Sequence, residues 1–138
     1  GVAAHETGHA IQDDTGYAWL QLRSAMVPVT NIASNLAMPL IILGALFGGA
    51  SRGNYFMINL GLILFFLSVL FTFVTLPVEF DASKRAIAIL EGNSYVSPDE
   101  VVEVKKVLDA AAMTYVAAAA VALLNFLRMA ALFGRRRN

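Results

Sequence analysis

The stretch Tyr55–Leu76, YFMINLGLILFFLSVLFTFVTL, decides the fold because it carries no charged side chain over its whole length. About 20 apolar residues of α-helix cross the roughly 30 Å of hydrocarbon in a bilayer. The alternative is a helix buried in a soluble bundle, but an apolar run of this length is typical of a helix in lipid. We therefore predict a transmembrane helix over 55–76.

Two further apolar runs, 32–49 and 113–133, have the same character. The only charged residue between Val27 and Val78 is Arg52, and the only one between Ala110 and Gly134 is Arg128. The chain is 58% hydrophobic and 14% charged, whereas soluble domains are about 25% charged. Ser51-Arg52-Gly53-Asn54 is polar and predicts a tight turn between the first two spans. We predict an all-α integral membrane protein with three transmembrane helices, forming a single domain over 1–138.

The overall charge and the cysteine content exclude several functions. The 138 residues carry 10 basic and 10 acidic side chains, so the net charge is zero. A chain without a basic surplus lacks the electrostatic footprint of a nucleic-acid-binding protein. The absence of cysteine excludes disulfides, thiolate ligands and a cysteine nucleophile.

The motif His5-Glu6-Thr7-Gly8-His9 carries the chemistry, in a segment 1–26 that we predict to be helical. Side chains four residues apart lie on one helix face, so His5 and His9 can bind one metal ion together. In zinc peptidases with this spacing, the adjacent glutamate is the general base that activates water. The pattern therefore predicts zinc ligands at His5 and His9 and a catalytic base at Glu6. A helix with two surface histidines is the alternative.

The order of the spans predicts the third ligand. The chain leaves the side of the motif through the first span and returns through the second, so it emerges near Pro77. Glu79 follows at once and is delivered to the side of His5 and His9. A catalytic zinc site needs three protein ligands and an open position. We therefore expect Glu79 to complete the set.

The segment 77–109 is predicted to hold two helices. Pro77 suits the first turn of a new helix that carries Glu79, and Gly92 is a helix stop. Ser97-Pro98-Asp99-Glu100 is a capping box that starts an amphipathic helix running into the third span.

Supporting roles stay open between several polar residues. An acid that orients a ligating histidine is one such role, and a donor to the oxyanion formed during amide hydrolysis is another. The candidates for the first role are Asp81, Asp13 and Asp14, and those for the second are Tyr95, Tyr17 and Arg85.

Two stretches, Val2–Gln12 and Leu76–Ser83, resemble the YugP-type neutral zinc metallopeptidases of bacteria, distant relatives of the HtpX and CAAX prenyl protease group. The likeness implies a zincin-like site with a gluzincin-type ligand set: His5, His9 and Glu79 on zinc, with Glu6 as base. HtpX-like proteins carry an aspartate four residues after the ligand glutamate, where this chain has Ser83. The likeness also implies an upstream membrane segment and a peptide-binding strand, so we expect 1–138 to be N-terminally incomplete.

The expected function is zinc-dependent hydrolysis of peptide bonds in the bacterial plasma (inner) membrane, with the site facing the cytoplasm by the HtpX likeness. The expected partners are the lipid bilayer and a polypeptide substrate, which can be membrane-associated, and no nucleic acid. One alternative is a catalytically inactive zinc-binding membrane scaffold or regulator. The other is a transporter component, which the scarcity of ionisable groups in the spans disfavours.

Overall fold

A computed structural model of the protein describes residues 1–47 and 52–134. These residues form four α-helices and no strand. The helices are α1 (Val2–Asp14), α2 (Ala18–Leu46), α3 (Arg52–Gly92) and α4 (Pro98–Gly134). The all-α prediction is confirmed. The end of the first predicted span at 48–49, Ser51 of the predicted turn, and Arg135–Arg137 lie outside the described residues.

Three of the helices are long and apolar enough to cross a membrane. These helices are Ala18–Leu46, Tyr55–Gly92 and Pro98–Phe133. Many of their large apolar side chains are exposed; Phe56 is 67% exposed and Leu124 is 64% exposed. Soluble proteins rarely expose apolar surface so extensively. The prediction of three helices that are long and apolar enough to span a membrane is confirmed.

The chain divides into two compact units. The first comprises Gly1–Ser24 and Phe73–Ala118, and the second comprises the described parts of Ala25–Thr72 and Ala119–Asn138. Helices α2, α3 and α4 each contribute to both units. The chemistry predicted from the sequence belongs entirely to the first unit.

In the first unit, α1 packs closely against the C-terminal half of α3. Val78 and Ala82 of α3, which are fully buried, contact α1 through their carbonyl groups. Gly8 of α1 faces the Ala82 carbonyl so closely that a Cβ atom at position 8 would overlap it. Because Gly8 lies between the two histidines of the motif, this backbone approach sets the distance between the motif and α3.

In the second unit, α2 and α3 run antiparallel and meet through small side chains. Gly61 of α3 fits against the Ala37 carbonyl and the Ile41 side chain of α2. The Ser34 and Ser68 hydroxyls form a hydrogen bond of 2.7 Å between the same helices. Helices in lipid commonly associate through small residues that allow a close backbone approach and through hydrogen bonds between helices.

The prediction of a new helix starting at Pro77 is wrong. Pro77 lies inside α3, which continues without interruption from the membrane-spanning stretch to Gly92. A proline removes one helical hydrogen bond, but membrane helices tolerate this loss because neighbouring groups satisfy the freed carbonyl. The packing of Val78 and Ala82 against α1 stabilises the helix on the far side of the proline. Arg52–Asn54, predicted as turn, are likewise helical.

The segment 1–26 is not one helix. The helix that carries the motif ends at Asp14, and α2 begins at Ala18. Gly16 adopts φ +68°, a left-handed conformation that glycine reaches without a steric penalty. This single residue allows the chain to reverse between α1 and α2, and so returns α2 toward the motif.

The predicted helix ends around 92–100 are confirmed. Helix α3 ends at Gly92, and α4 begins at Pro98. The Ser97 N–H donates to Glu100 Oε2 over 2.7 Å, and the Glu100 N–H donates to Ser97 Oγ over 3.3 Å. This reciprocal pair is the predicted capping box.

Candidate metal centre

Three potential metal ligands, His5, His9 and Glu79, lie together in the first unit. The Nε2 atom of His5 is 2.9 Å from Glu79 Oε2, and the Nε2 atom of His9 is 3.4 Å from the same oxygen. All three ligand atoms lie within 4.8 Å of one another. Donor atoms on a tetrahedral zinc are about 3.3 Å apart, as bonds of about 2.0–2.1 Å require. The structure therefore brings together the three residues that the sequence selects, at a spacing that suits one small cation.

The amide of Gln12 determines which nitrogen of His9 carries the proton. Gln12 Nε2 donates to the Val78 carbonyl over 2.8 Å and to Asp81 Oδ2 over 2.9 Å. Both partners accept only, so the other end of the amide, Oε1, is the acceptor that faces His9 Nδ1 at 2.9 Å. Gln12 is fully buried, so no water competes for this bond. A neutral His9 therefore carries its proton on Nδ1 and presents a lone pair at Nε2.

This tautomer leaves two acceptors facing each other. The Nε2 lone pair of His9 lies 3.4 Å from an oxygen of the Glu79 carboxylate. Glu79 is only 4% exposed. A buried carboxylate needs a cationic partner or hydrogen-bond donors. A divalent cation between the imidazoles and the carboxylate satisfies every one of these groups at once. The donor set, two imidazole nitrogens and one carboxylate oxygen, is the set that catalytic zinc takes in several peptidases.

Ser83 occupies the position that an aspartate holds in HtpX-like proteins, and it contacts the first histidine. Its Oγ lies 3.0 Å from His5 Nδ1, so the hydroxyl can accept a hydrogen bond from that nitrogen. Asp81, a predicted orienting acid, instead binds Gln12 and so reaches His9 through an intermediate amide. Asp13 and Asp14 have exposed side chains. The two supporting residues that contact the imidazoles, Gln12 and Ser83, were not predicted for this role.

Glu6 lies next to the metal ligands at the edge of an open cavity. This polar cavity, of about 390 Å³, is lined by the three ligand residues and by four others. The four others are Glu6, Leu20, Arg23 and Tyr115. Glu6 is exposed, so water has access to its carboxylate. The structure thus places the predicted base beside the predicted ligands.

Arg23 and Tyr115 are the potential hydrogen-bond donors of the polar cavity. The Tyr115 hydroxyl interacts with the Glu79 carboxylate. The Nε atom of Arg23 is buried and has no hydrogen-bond partner among the described residues. Buried polar atoms are nearly always paired, so an unpaired one calls for an explanation. Because this nitrogen is buried, an oxygen acceptor in the cavity reaches it only if the Arg23 side chain moves.

The three donors proposed from the sequence do not line the polar cavity. Tyr95 is 71% exposed. Tyr17 stacks under the Arg85 guanidinium, which lies 5.3 Å from the ring centre and donates to Asp81 over 2.6 Å. Burial and the Asp81 carboxylate raise the pKa of Tyr17, against the opposing charge of Arg85. Arg85 thus holds Asp81, which in turn accepts the hydrogen bond of the Gln12 amide.

Sequence signals for the missed donors exist. Tyr115 stands at the start of the third predicted span, and the count of crossings puts that end on the side of the motif. Arg23 is the last charged residue before the first long apolar stretch, on the same side. What the sequence alone lacks is the reversal at Gly16, which brings the start of α2 to the cavity.

Sequence comparison places this arrangement among known proteins. Residues 1–134 match the model of the family described as "Putative neutral zinc metallopeptidase". The chain is 47% identical over 139 residues to the "Putative membrane protease YugP" of Bacillus subtilis (strain 168), an alignment that covers 99% of this chain and 60% of that protein. No solved structure matches the chain. With a relative named "Putative membrane protease" and a family model that matches residues 1–134, the chain belongs to the family described as "Putative neutral zinc metallopeptidase".

Proposed function

We propose that the chain is a membrane-embedded zinc peptidase that hydrolyses peptide bonds with His5, His9 and Glu79 as the metal ligands. The observation that carries this proposal is the convergence of the imidazole Nε2 atoms on one buried carboxylate oxygen, with His9 held in the tautomer that a metal requires. The family and the relative, both described as zinc or membrane proteases, support it. The chain spans 60% of the length of that relative.

The proposed reaction assigns one role to each group. Zinc, when bound, supplies Lewis acidity at the scissile carbonyl and makes water a nucleophile near neutral pH. Glu6 accepts a proton from the attacking water and then passes it to the amine that leaves. Ser83 and Gln12 hold the two imidazoles so that their Nε2 atoms keep facing the cation.

Arg23 and Tyr115 are the proposed donors to the carbonyl oxygen of the substrate. Both line the cavity that contains Glu6 and the ligands. During water attack, negative charge develops on this oxygen, and a preorganised donor that faces it lowers the barrier. Arg23 lines the cavity, so its guanidinium places a positive charge near the oxygen on which negative charge develops.

The proposed location is the bacterial plasma membrane, with the metal centre on the cytoplasmic side. The three apolar helices support a membrane location, and the likeness to HtpX supports the cytoplasmic orientation. The proposed substrate is a polypeptide at or near the membrane, because the embedded helices confine the protein to that surface.

Hydrolysis of casein by the purified protein tests the proposal. We expect Glu6→Gln to abolish hydrolysis while the zinc content stays at the wild-type value, because Glu6 is not a ligand. The matched control is Glu103→Gln, since Glu103 is exposed and pairs only with Lys106 on the surface of α4. Equal activity in wild type and Glu6→Gln would remove Glu6 from the mechanism. Full zinc content without any wild-type hydrolysis would favour a zinc-binding scaffold or regulator.

A further inference from the structure

A second cavity adjoins the metal centre on the side of α4. Its volume is about 170 Å³. Its lining contains five polar residues, which are His5, Glu6, Glu79, Ser83 and Tyr115, and five apolar ones, which are Val2 of α1 and Val107, Leu108, Ala111 and Ala112 of α4. We call it the apolar cavity, and its four apolar α4 residues form the apolar wall. The mechanism described above assigns no role to these apolar residues.

The size of the apolar cavity suits one large apolar side chain. A cavity of about 150 Å³ lined by aliphatic side chains admits a benzene molecule, so about 170 Å³ accommodates an isobutyl or a benzyl group. The two alanines create this space, because any larger side chain at position 111 or 112 would project into it. Val107 and Leu108 supply contact surface one turn earlier on α4.

The position of the apolar cavity selects its occupant. Glu6 and Glu79 line both this cavity and the polar cavity that holds Arg23. A peptide whose scissile carbonyl faces Glu6 and Arg23 has the side chain of an adjacent residue within reach of the apolar wall.

We propose that this apolar cavity is the specificity pocket of the site, and that it accepts a large apolar side chain of the substrate next to the bond that is cleaved. The inference rests on the proposed peptidase function and adds a substrate class to it. Chains with leucine or phenylalanine beside the scissile bond are preferred over chains with glycine there. An extra methylene group in such a pocket changes the selectivity by about 10-fold or more.

The test compares two labelled peptides that differ only in phenylalanine or glycine at the position beside the intended scissile bond. Binding is measured by fluorescence anisotropy on the zinc-loaded Glu6→Gln protein, and cleavage is measured on the protein with Glu6 intact. We expect the phenylalanine peptide to bind at least about tenfold more tightly. The variant Ala111→Phe fills the cavity and should bring the two affinities within about twofold of each other.

The matched control is Ala110→Phe, which adds the same ring to an exposed position that does not line the cavity. It should keep the tenfold preference. The same preference in Ala111→Phe as in the parent would overturn the pocket assignment. Cleavage of both peptides at equal rates would overturn it too and leave the peptidase function standing. A clear binding preference without any cleavage would leave the pocket standing and contradict the peptidase function.

Discussion

At the scale of single residues, the orientation of the imidazoles depends on side chains that never touch the proposed cation. His9 is held by Gln12, which is itself held by the Val78 carbonyl and by Asp81. Arg85 then fixes Asp81 over 2.6 Å. Such partners of ligating histidines fix the tautomer and the ring direction. A series of hydrogen-bonded side chains therefore positions the proposed ligand His9: Arg85 holds Asp81, Asp81 holds Gln12, and Gln12 holds His9.

The first prediction concerns Gln12. We expect Gln12→Met, which keeps the length of the side chain but removes the acceptor, to weaken zinc binding by about 10–100-fold. Competition with a zinc-sensitive dye measures the affinity. The control is Asp13→Asn, which alters an exposed neighbour on α1 and should leave the affinity unchanged. Equal affinities in all three proteins would show that Gln12 does not position His9.

The second prediction concerns the donors in the polar cavity. Arg23→Met and Tyr115→Phe should each lower kcat by about 10²–10³-fold, the usual effect of removing one donor to an oxyanion. KM should change little in both variants, and the zinc content should stay at the wild-type value in Arg23→Met. Tyr115→Phe also removes a partner of the proposed ligand Glu79, so its kcat is compared at saturating zinc. A loss of zinc in parallel with kcat would instead assign a structural role to the residue. An unchanged kcat in both variants would reject the two donors.

The sequence predicts the three metal ligands but not the hydrogen-bond donors of the polar cavity. His5 and His9 are recognised from a local interval, and Glu79 from the count of membrane crossings. Arg23 and Ser83 acquire their contacts only through the packing of α1 against α3 and the reversal after α1. Gln12 lies three residues after His9 on the same helix, so that contact is local, whereas its contacts with Val78 and Asp81 depend on α3. No local pattern predicts a contact that depends on how two helices approach each other.

At the scale of elements, the approach of α1 to α3 is set by Gly8. A Cβ atom there would overlap the Ala82 carbonyl, and a backbone group cannot move aside as a flexible side chain can. Overpacking of this kind shifts the backbone. The shift would fall between His5 and His9, so it would separate both rings from Glu79.

The third prediction follows from this contact. Gly8→Ala should destabilise the protein by about 1–3 kcal/mol and weaken zinc binding at the same time. Thermal unfolding in detergent, with and without zinc, measures both effects. Gly92→Ala is the matched control, since a Cβ atom at position 92 meets nothing within 4 Å. Identical unfolding of Gly8→Ala and wild type would show that the approach of α1 to α3 is looser than the structure has it.

Helix ends differ in how well the sequence predicts them. The start of α4 was predicted because the capping box is a local exchange between Ser97 and Glu100. The continuity of α3 through Pro77 was not, because local preference favours a helix start at proline, whereas the packing of α1 on Val78 and Ala82 stabilises the continuing helix. The prediction of one helix over 1–26 is wrong because a single glycine, Gly16, ends the helical run, and an isolated glycine within a helical pattern is a weak stop signal.

At the scale of the whole molecule, the three long apolar helices bury little of their own surface, which is the pattern expected of helices in lipid. Large apolar side chains along the three long helices are exposed within the chain itself. Each of these helices is longer than the roughly 20 residues that cross a bilayer. Their charged ends therefore extend into water, and the predicted topology puts the residues near 95 and those near 14 on one side, with the C-terminus on the other.

The fourth prediction tests that topology. The chain contains no cysteine, so single cysteines report position cleanly. With a membrane-impermeant maleimide on sealed vesicles, Asp14→Cys and Tyr95→Cys should react from the same side and Asn138→Cys from the opposite side. The cytoplasmic orientation predicts that the first two react in inverted vesicles. Reaction of all three from one side would contradict the count of three crossings.

The central claim is that Glu79 closes a metal site with His5 and His9. The most direct measurement is zinc content and affinity of wild type and Glu79→Ala, purified side by side and equilibrated at the same free zinc concentration, with Glu103→Ala as the control for loss of one carboxylate. We predict about one tightly bound zinc per chain in wild type and in Glu103→Ala, and a large loss in Glu79→Ala, because a catalytic site needs three protein ligands. Equal zinc affinity in Glu79→Ala and wild type, or no zinc in wild type, would contradict the claim.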